Sequence, residues 1–159
     1  MASDNLNILV VGAGQIGSRH MQALANTQDV AAVTAVDPGA AARDTALARW
    51  NDVPGDAGKT LKLAASLADI GRTETFDLAI IATSAPGRLE ILKGIVALGV
   101  RRVLSEKLLF QSVAQLNAAV ALCADKGVSL YPNYVYRLVS PWAAAAERLN
   151  ALQELRKTA

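Results

Sequence analysis

Apolar residues in this chain come in short blocks, separated by longer stretches in which they recur every three or four positions. The short blocks fall at residues 8–11, 30–36, 60–64, 76–83, 100–105 and 128–136. The strongest of them, 8–11, 30–36 and 76–83, are nearly continuous Val, Ile, Leu and Ala, as in strands buried on both faces. Helical spacing fills 16–25, 40–50, 88–98, 113–126 and 141–155, and Ser66 heads a single extra turn. Ser112 is placed to cap its helix with Gln115 at the third helical position, Gly99 and Gly127 stop two helices, and Pro141 begins the last one. Turn formers cluster across 51–58. Strand and helix thus alternate from end to end. The alternation predicts an α/β fold, a doubly wound parallel sheet of about six strands with helices on both faces. A single domain spanning 1–159 is expected, with its last helix at about 140–155 and no second domain.

Ligands of such sheets bind at the carboxyl ends of the strands, so the loops there carry the candidate chemistry. The first strand runs straight into glycines spaced G-x-G-x-x-G, at Gly12, Gly14 and Gly17. Gly12 suits a tight turn off the strand, Gly14 removes a side chain that would block a pyrophosphate, and Gly17 lets the following helix press on the sheet. The backbone N–H groups around Gly14, Gln15 and Ile16 would then face phosphates, helped by the helix dipole. Asp37, roughly 20 positions beyond the glycines, ends the second strand where it can accept hydrogen bonds from ribose hydroxyls. Together these predict a dinucleotide site. The charge on Asp37 would repel a 2′-phosphate and so favours NAD, while Arg43 nearby leaves NADP possible. The plain alternative is a strand, turn and helix whose glycines serve packing only.

Composition narrows the classes. Hydrophobic residues make up 52% and charged ones 19%, which suits a sheet covered on both sides. Basic and acidic residues, 16 and 14, are spread along the chain, so nucleic acid is not an expected partner. No run reaches the roughly 18 apolar residues of a membrane span, and no basic-then-apolar leader opens the chain. A cytoplasmic location and no membrane partner are therefore expected. Cys123 stands alone, which excludes an intramolecular disulfide or a cysteine-based zinc site, and no metal site is expected. Its apolar helical setting suits a small buried hydrophobe.

Four motifs in order resemble the Gfo/Idh/MocA family of NAD(P)-dependent oxidoreductases, which act on sugars, inositols and related polyols. They are GAGQIGSRH ending at His20, ATSAP ending at Pro86, SEK ending at Lys107, and NYVYRLVSP from Asn133 to Pro141. The resemblance covers nearly the whole chain. It implies that Lys107 meets the substrate hydroxyl and helps move the proton that accompanies hydride transfer, and that Glu106 faces the nicotinamide ribose. It also implies that Thr83 and Ser84 contact the nucleotide, and that Asn133, Tyr134 or Arg137 reaches the nicotinamide edge or a substrate anion. Two departures stand out. Leu108 replaces the proline that follows the lysine in the family motif, which is expected to loosen the loop. Family members also carry a second, substrate-lining domain that commonly supplies a histidine, whereas this chain ends at Ala159 with His20 as its sole histidine.

Each residue has a plainer alternative. Glu106 and Lys107 could form only a surface pair. His20 suits packing or capping better than proton transfer. Strand alternation sends Asn133 and Tyr134 to opposite faces, so only one of them is expected to point into a site. Trp50 and Trp142 suit helix packing. Three functions remain open: the cofactor domain of a sugar, inositol or polyol oxidoreductase, a non-catalytic dinucleotide-binding module, and a truncated remnant. An unaided chain is expected to turn over little, and a homo-oligomer or partner subunit is expected to cover its bare surfaces.

Overall fold

The computed structural model describes residues 5–54, 58–71, 73–134, 144–145 and 147–148. Within them the elements run β1 (Leu6–Val11), α1 (Gln15–Ala25), β2 (Val30–Val36), α2 (Ala40–Asn51), β3 (Thr60–Ala64), a 3₁₀ turn (Leu67–Asp69), β4 (Leu78–Ile81), α3 (Arg88–Ala97), β5 (Arg102–Glu106), α4 (Val113–Lys126) and β6 (Ser129–Asn133). The strands form a single sheet in the order β3-β2-β1-β4-β5-β6, and every pairing is parallel. This is the doubly wound α/β fold that the alternation predicts. Four helices accompany the sheet among the described residues.

The sheet is buried on both sides because β1 to β5 each feed two apolar layers. Leu9 and Val11 of β1 lie in one layer with Leu92, Ile95 and Val96 of α3 and Ala119 and Cys123 of α4. Ile8 and Val10, the alternate residues, lie in the other with Met21 and Ala25 of α1 and Ala46 and Trp50 of α2. Trp50 therefore packs as expected. Cys123 sits in the first layer, where burial pushes its thiol up from the ordinary cysteine range.

Local chemistry sets the element ends. Ser112 Oγ accepts from the backbone N–H of Gln115 at the start of α4, the expected cap. Ser66 and Asp69 form a reciprocal capping box around the 3₁₀ turn. Lys59 reaches from the entry to β3 to the carbonyls of Leu24, Ala25 and Thr27, which closes the C-terminal end of α1 with a cation. Three strands are shorter than their apolar blocks, β5 by a single residue and two others by more. The 76–83 block narrows to Leu78–Ile81, with Asp77 accepting the Asn7 N–H through Oδ2 just before it, and the 128–136 block stops at Asn133. Residues 144–145 and 147–148 are helical and exposed. The rest of the expected last helix, with Trp142 and Arg137, lies outside the described residues.

Register decides where chemistry can gather. Val11 lies level with Val36 and Ile81, Ile81 with Ser105, and Glu106 with Asn133. Val36 is level also with Ala64 at the end of β3, so all the carboxyl ends share one rim with the Gly12 turn. The strand order reverses between β1 and β4, which opens the crevice there.

The α3 layer should answer strongly to loss of volume. Leu92→Ala, at a fully buried position, should cost about 2–5 kcal/mol of unfolding free energy, measured by urea denaturation. Val113→Ala, at an exposed position, should stay within about 0.5 kcal/mol.

Candidate functional site

The glycine turn divides into two kinds of position. Gly12 has φ +96°, and a Cβ there would lie 2.9 Å from the backbone of Ala82 and Thr83. A Cβ on Gly17 would lie 1.7 Å from the carbonyl oxygen of Gly12. Both glycines are required by the fold itself. Gly14 is different, because a Cβ there would meet nothing within 4 Å, and its φ of −64° suits any residue. Gly14 caps α1 without a side-chain hydrogen bond, and Gly14, Gln15 and Ile16 are all exposed. The N-terminal end of α1 thus presents backbone N–H groups and open space together.

Asp37 lies beside this turn. Its Oδ2 accepts the Ala13 N–H at 2.8 Å and its Oδ1 accepts the Gly39 N–H at 2.8 Å. Arg43 from α2 donates to the Asp37 carbonyl at 2.6 Å, which puts a guanidinium at the same strand end. Arg49, also from α2, donates to Gln15 Oε1 at 2.7 Å and to Ser18 Oγ.

On the other side of the crevice the loop after β4 brings Thr83, half-buried, and Ser84, exposed. Thr83 Oγ1 is enclosed and has no hydrogen-bond partner. The Thr83 carbonyl accepts from Arg88, the first residue of α3, which is only 2% exposed. Arg88 also donates to the carbonyls of Glu106 and Leu108. Burial pushes its guanidinium below the usual arginine value, and the charge of Glu106 counters this. Sequence reasoning passed over Arg88. A signal was present, because the N-terminal turn of a helix disfavours a cation, so an arginine there asks for another reason.

Glu106 is the hub of the β5 end. Its Oε1 accepts from His20 Nε2 at 2.9 Å and from Asn133 Nδ2. Partial burial pushes its carboxyl up. The hydrogen bonds from Asn133 and His20, with the charges of His20 and Lys107, outweigh that and hold it below the ordinary carboxylate range. Two expectations and one plain alternative, the Glu106–Lys107 pair, are set aside here. His20 neither packs nor caps but pairs with Glu106 across 86 residues of sequence, because α1 carries it over the sheet end. Among the described residues the salt-bridge partner of Glu106 is His20 and not Lys107. Asn133 and Tyr134 border the same cavity, of about 440 Å³, with Ile16, His20 and Lys107. Alternation fails because the strand ends at Asn133, and the Tyr134 N–H turns back to the Pro132 carbonyl at 2.9 Å.

Lys107 is exposed at the mouth of this cavity. The Lys107–Leu108 peptide is cis, and the Leu108 side chain is 76% exposed. The loop expected to loosen without its proline is held on both sides of Lys107 by Arg88. Among the described residues no group of three His, Cys, Asp or Glu side chains could hold a metal ion, and no helix is long and apolar enough to cross a membrane.

A family model described as an oxidoreductase family with an NAD-binding Rossmann fold matches residues 6–134. The chain belongs to the Gfo/Idh/MocA family. No curated protein matches it. Among solved structures, apo scyllo-inositol dehydrogenase from Lactobacillus casei is similar at TM-score 0.77 and 16% identity, over 95% of this chain and 43% of that one. The same enzyme with bound NAD(H) and scyllo-inositol gives 0.74 and 17%, over 92% and 41%. GenD2 from gentamicin A biosynthesis, in complex with NAD, gives 0.66 and 25%, over 84% and 36%. The Gfo/Idh/MocA chain described here thus spans less than half the length of these structures. Its Rossmann fold is the NAD-binding fold of the family.

The Glu106 hub has a pH signature. Its folded value lies below its unfolded one, so it contributes stability above the ordinary carboxylate range and loses that contribution as acid protonates it. Glu106→Gln should therefore lose less stability than the unaltered chain between about pH 7 and about pH 3, measured by urea unfolding at both. Equal losses would count against the hub.

Proposed function

We propose that this chain is the dinucleotide-binding part of an oxidoreductase that transfers hydride between a nicotinamide cofactor and a sugar, inositol or related polyol. The observation that carries the proposal is the behaviour of the three glycines. Gly12 and Gly17 answer to steric demands inside the fold, whereas the space beside Gly14 is filled by nothing in the protein. A glycine that the fold does not need, at a helix N-terminus with uncapped N–H groups, fits a pyrophosphate. The enclosed, unpartnered hydroxyl of Thr83 on the far side of the crevice fits the same ligand.

NAD would be held by the backbone N–H groups at Gly14, Gln15 and Ile16, by Asp37 at a ribose, and by Thr83, Ser84, Glu106 and Asn133 toward the other end. When bound, it supplies a hydride acceptor or donor. The Lys107 ammonium at Nζ would hold and move the proton of a substrate hydroxyl. Glu106, kept ionised by Asn133 and His20, would orient polar groups beside it. The exposure of Lys107 favours a second reading, a dinucleotide-binding module without turnover, since hydride transfer works best with water excluded. Exposed Val113, Val120 and Tyr131 near the β6 edge suit a covering surface from a second copy or a partner subunit.

Calorimetry should show NAD(H) binding at about 1 μM to 1 mM. Gly14→Val should abolish it while shifting stability by about 1 kcal/mol or less, since open space surrounds that position. No NAD(H) heat from the folded, unaltered chain would refute the proposal. A further expectation concerns choice of cofactor: NAD should bind better than NADP, and Asp37→Ser should narrow that gap. A preference for NADP in the unaltered chain would reassign the ribose end to Arg43.

A further inference from the structure

Among the described residues the Arg88 guanidinium is the only buried charge. A cation at the first turn of α3 opposes the helix dipole, and burying it costs desolvation. The apolar layer beneath is already filled by Leu92, Ile95 and Val96, so the packing gives no reason for a charge there. What the guanidinium does is hold backbone. It grips the Thr83 carbonyl after β4 and the Glu106 and Leu108 carbonyls after β5, the latter two flanking Lys107. None of these bonds reaches the Gly12 turn or Asp37.

We propose that Arg88 is a positioning residue for the nicotinamide half of the cleft. It sets the spacing between the Thr83 loop and the Lys107 loop and leaves the adenosine half alone. This rests on the dinucleotide function proposed above. Strand order assigns the halves, since Asp37 follows β2 on one side of the β1 turn, while Thr83 follows β4 and Glu106 ends β5 on the other. Arginine suits the task because its planar fork of five donors can serve three carbonyls at once, and a lysine ammonium cannot reproduce that geometry. Holding the Thr83 carbonyl also holds the backbone from which the unpartnered Thr83 hydroxyl projects.

The test compares NADH with adenosine diphosphate, which carries the adenosine half and its phosphates only. By calorimetry, Arg88→Lys should weaken NADH binding by about tenfold or more and change adenosine diphosphate binding by no more than about twofold. Parallel losses for both ligands would mean that Arg88 only holds the domain together, and would overturn the proposal. So would NADH binding left intact in the variant, or equal affinities of the unaltered chain for the two ligands. If Arg88→Lys does not fold, magnetic resonance on the unaltered chain decides. The Arg88 Nε–H, bonded to the Thr83 carbonyl at 3.2 Å, should resist solvent exchange. Its resonance should move with NADH and stay put with adenosine diphosphate. Movement with both, or with neither, overturns the positioning role. An unaltered chain that binds neither ligand instead refutes the dinucleotide function itself, and the positioning role with it.

Discussion

The close approach of α1 to the turn after β1 is the constraint on which the site depends. Gly17 has no side chain, and the Gly12 carbonyl occupies the place where one would be. Helix and turn are therefore locked at backbone distance. That lock aims the helix N-terminus into the crevice. One turn further along, it delivers His20 to Glu106, and it brings Gln15 and Ser18 under Arg49 of the next helix. A single methyl group at Gly17 would force the helix away from the sheet and undo each of these placements.

The opposite wall of the crevice is organised by charge. Glu106 sits beside His20 and Lys107, with the buried Arg88 on its backbone carbonyl, and stays ionised because the hydrogen bonds from Asn133 and His20 and the nearby charge of Lys107 offset the cost of its partial burial. Arg88 in turn trades hydration for carbonyl oxygens, which carry partial negative charge and cannot be neutralised by protonation. The result is a small, pre-set field around Lys107, made by residues from α1, α3, β5 and β6.

Much of this could be read from the chain beforehand, and for definite reasons. Strand and helix periods are local, so the six strands and their alternation with helices followed from blocks such as 8–11 and 30–36. The positive φ of Gly12 and the steric demand of Gly12 on Gly17 are also local, as is the Ser112–Gln115 cap. What escaped was long-range. The His20–Glu106 pair joins residues 86 apart, and the Arg88 bonds span up to 20 positions, so neither has a local pattern to betray it. Family resemblance pointed to Lys107 and Glu106 but not to the arginine that frames them. Tyr134 was misjudged for a simpler reason: period-two reasoning holds only while the strand lasts, and this one ends a residue earlier.

The cap that Lys59 places on α1 changes the electrical character of that helix. An isolated helix is a dipole whose two ends produce opposing fields that partly cancel at a distance. Here an ammonium covers the carbonyls at the negative end, while the positive end remains bare at Gly14. Seen from the crevice, α1 behaves less like a dipole and more like a single positive pole. Its pull on a diphosphate extends further into solvent and is sensitive to ionic strength. A lysine at the far end of the helix thereby takes part in the capture of an anion it never touches.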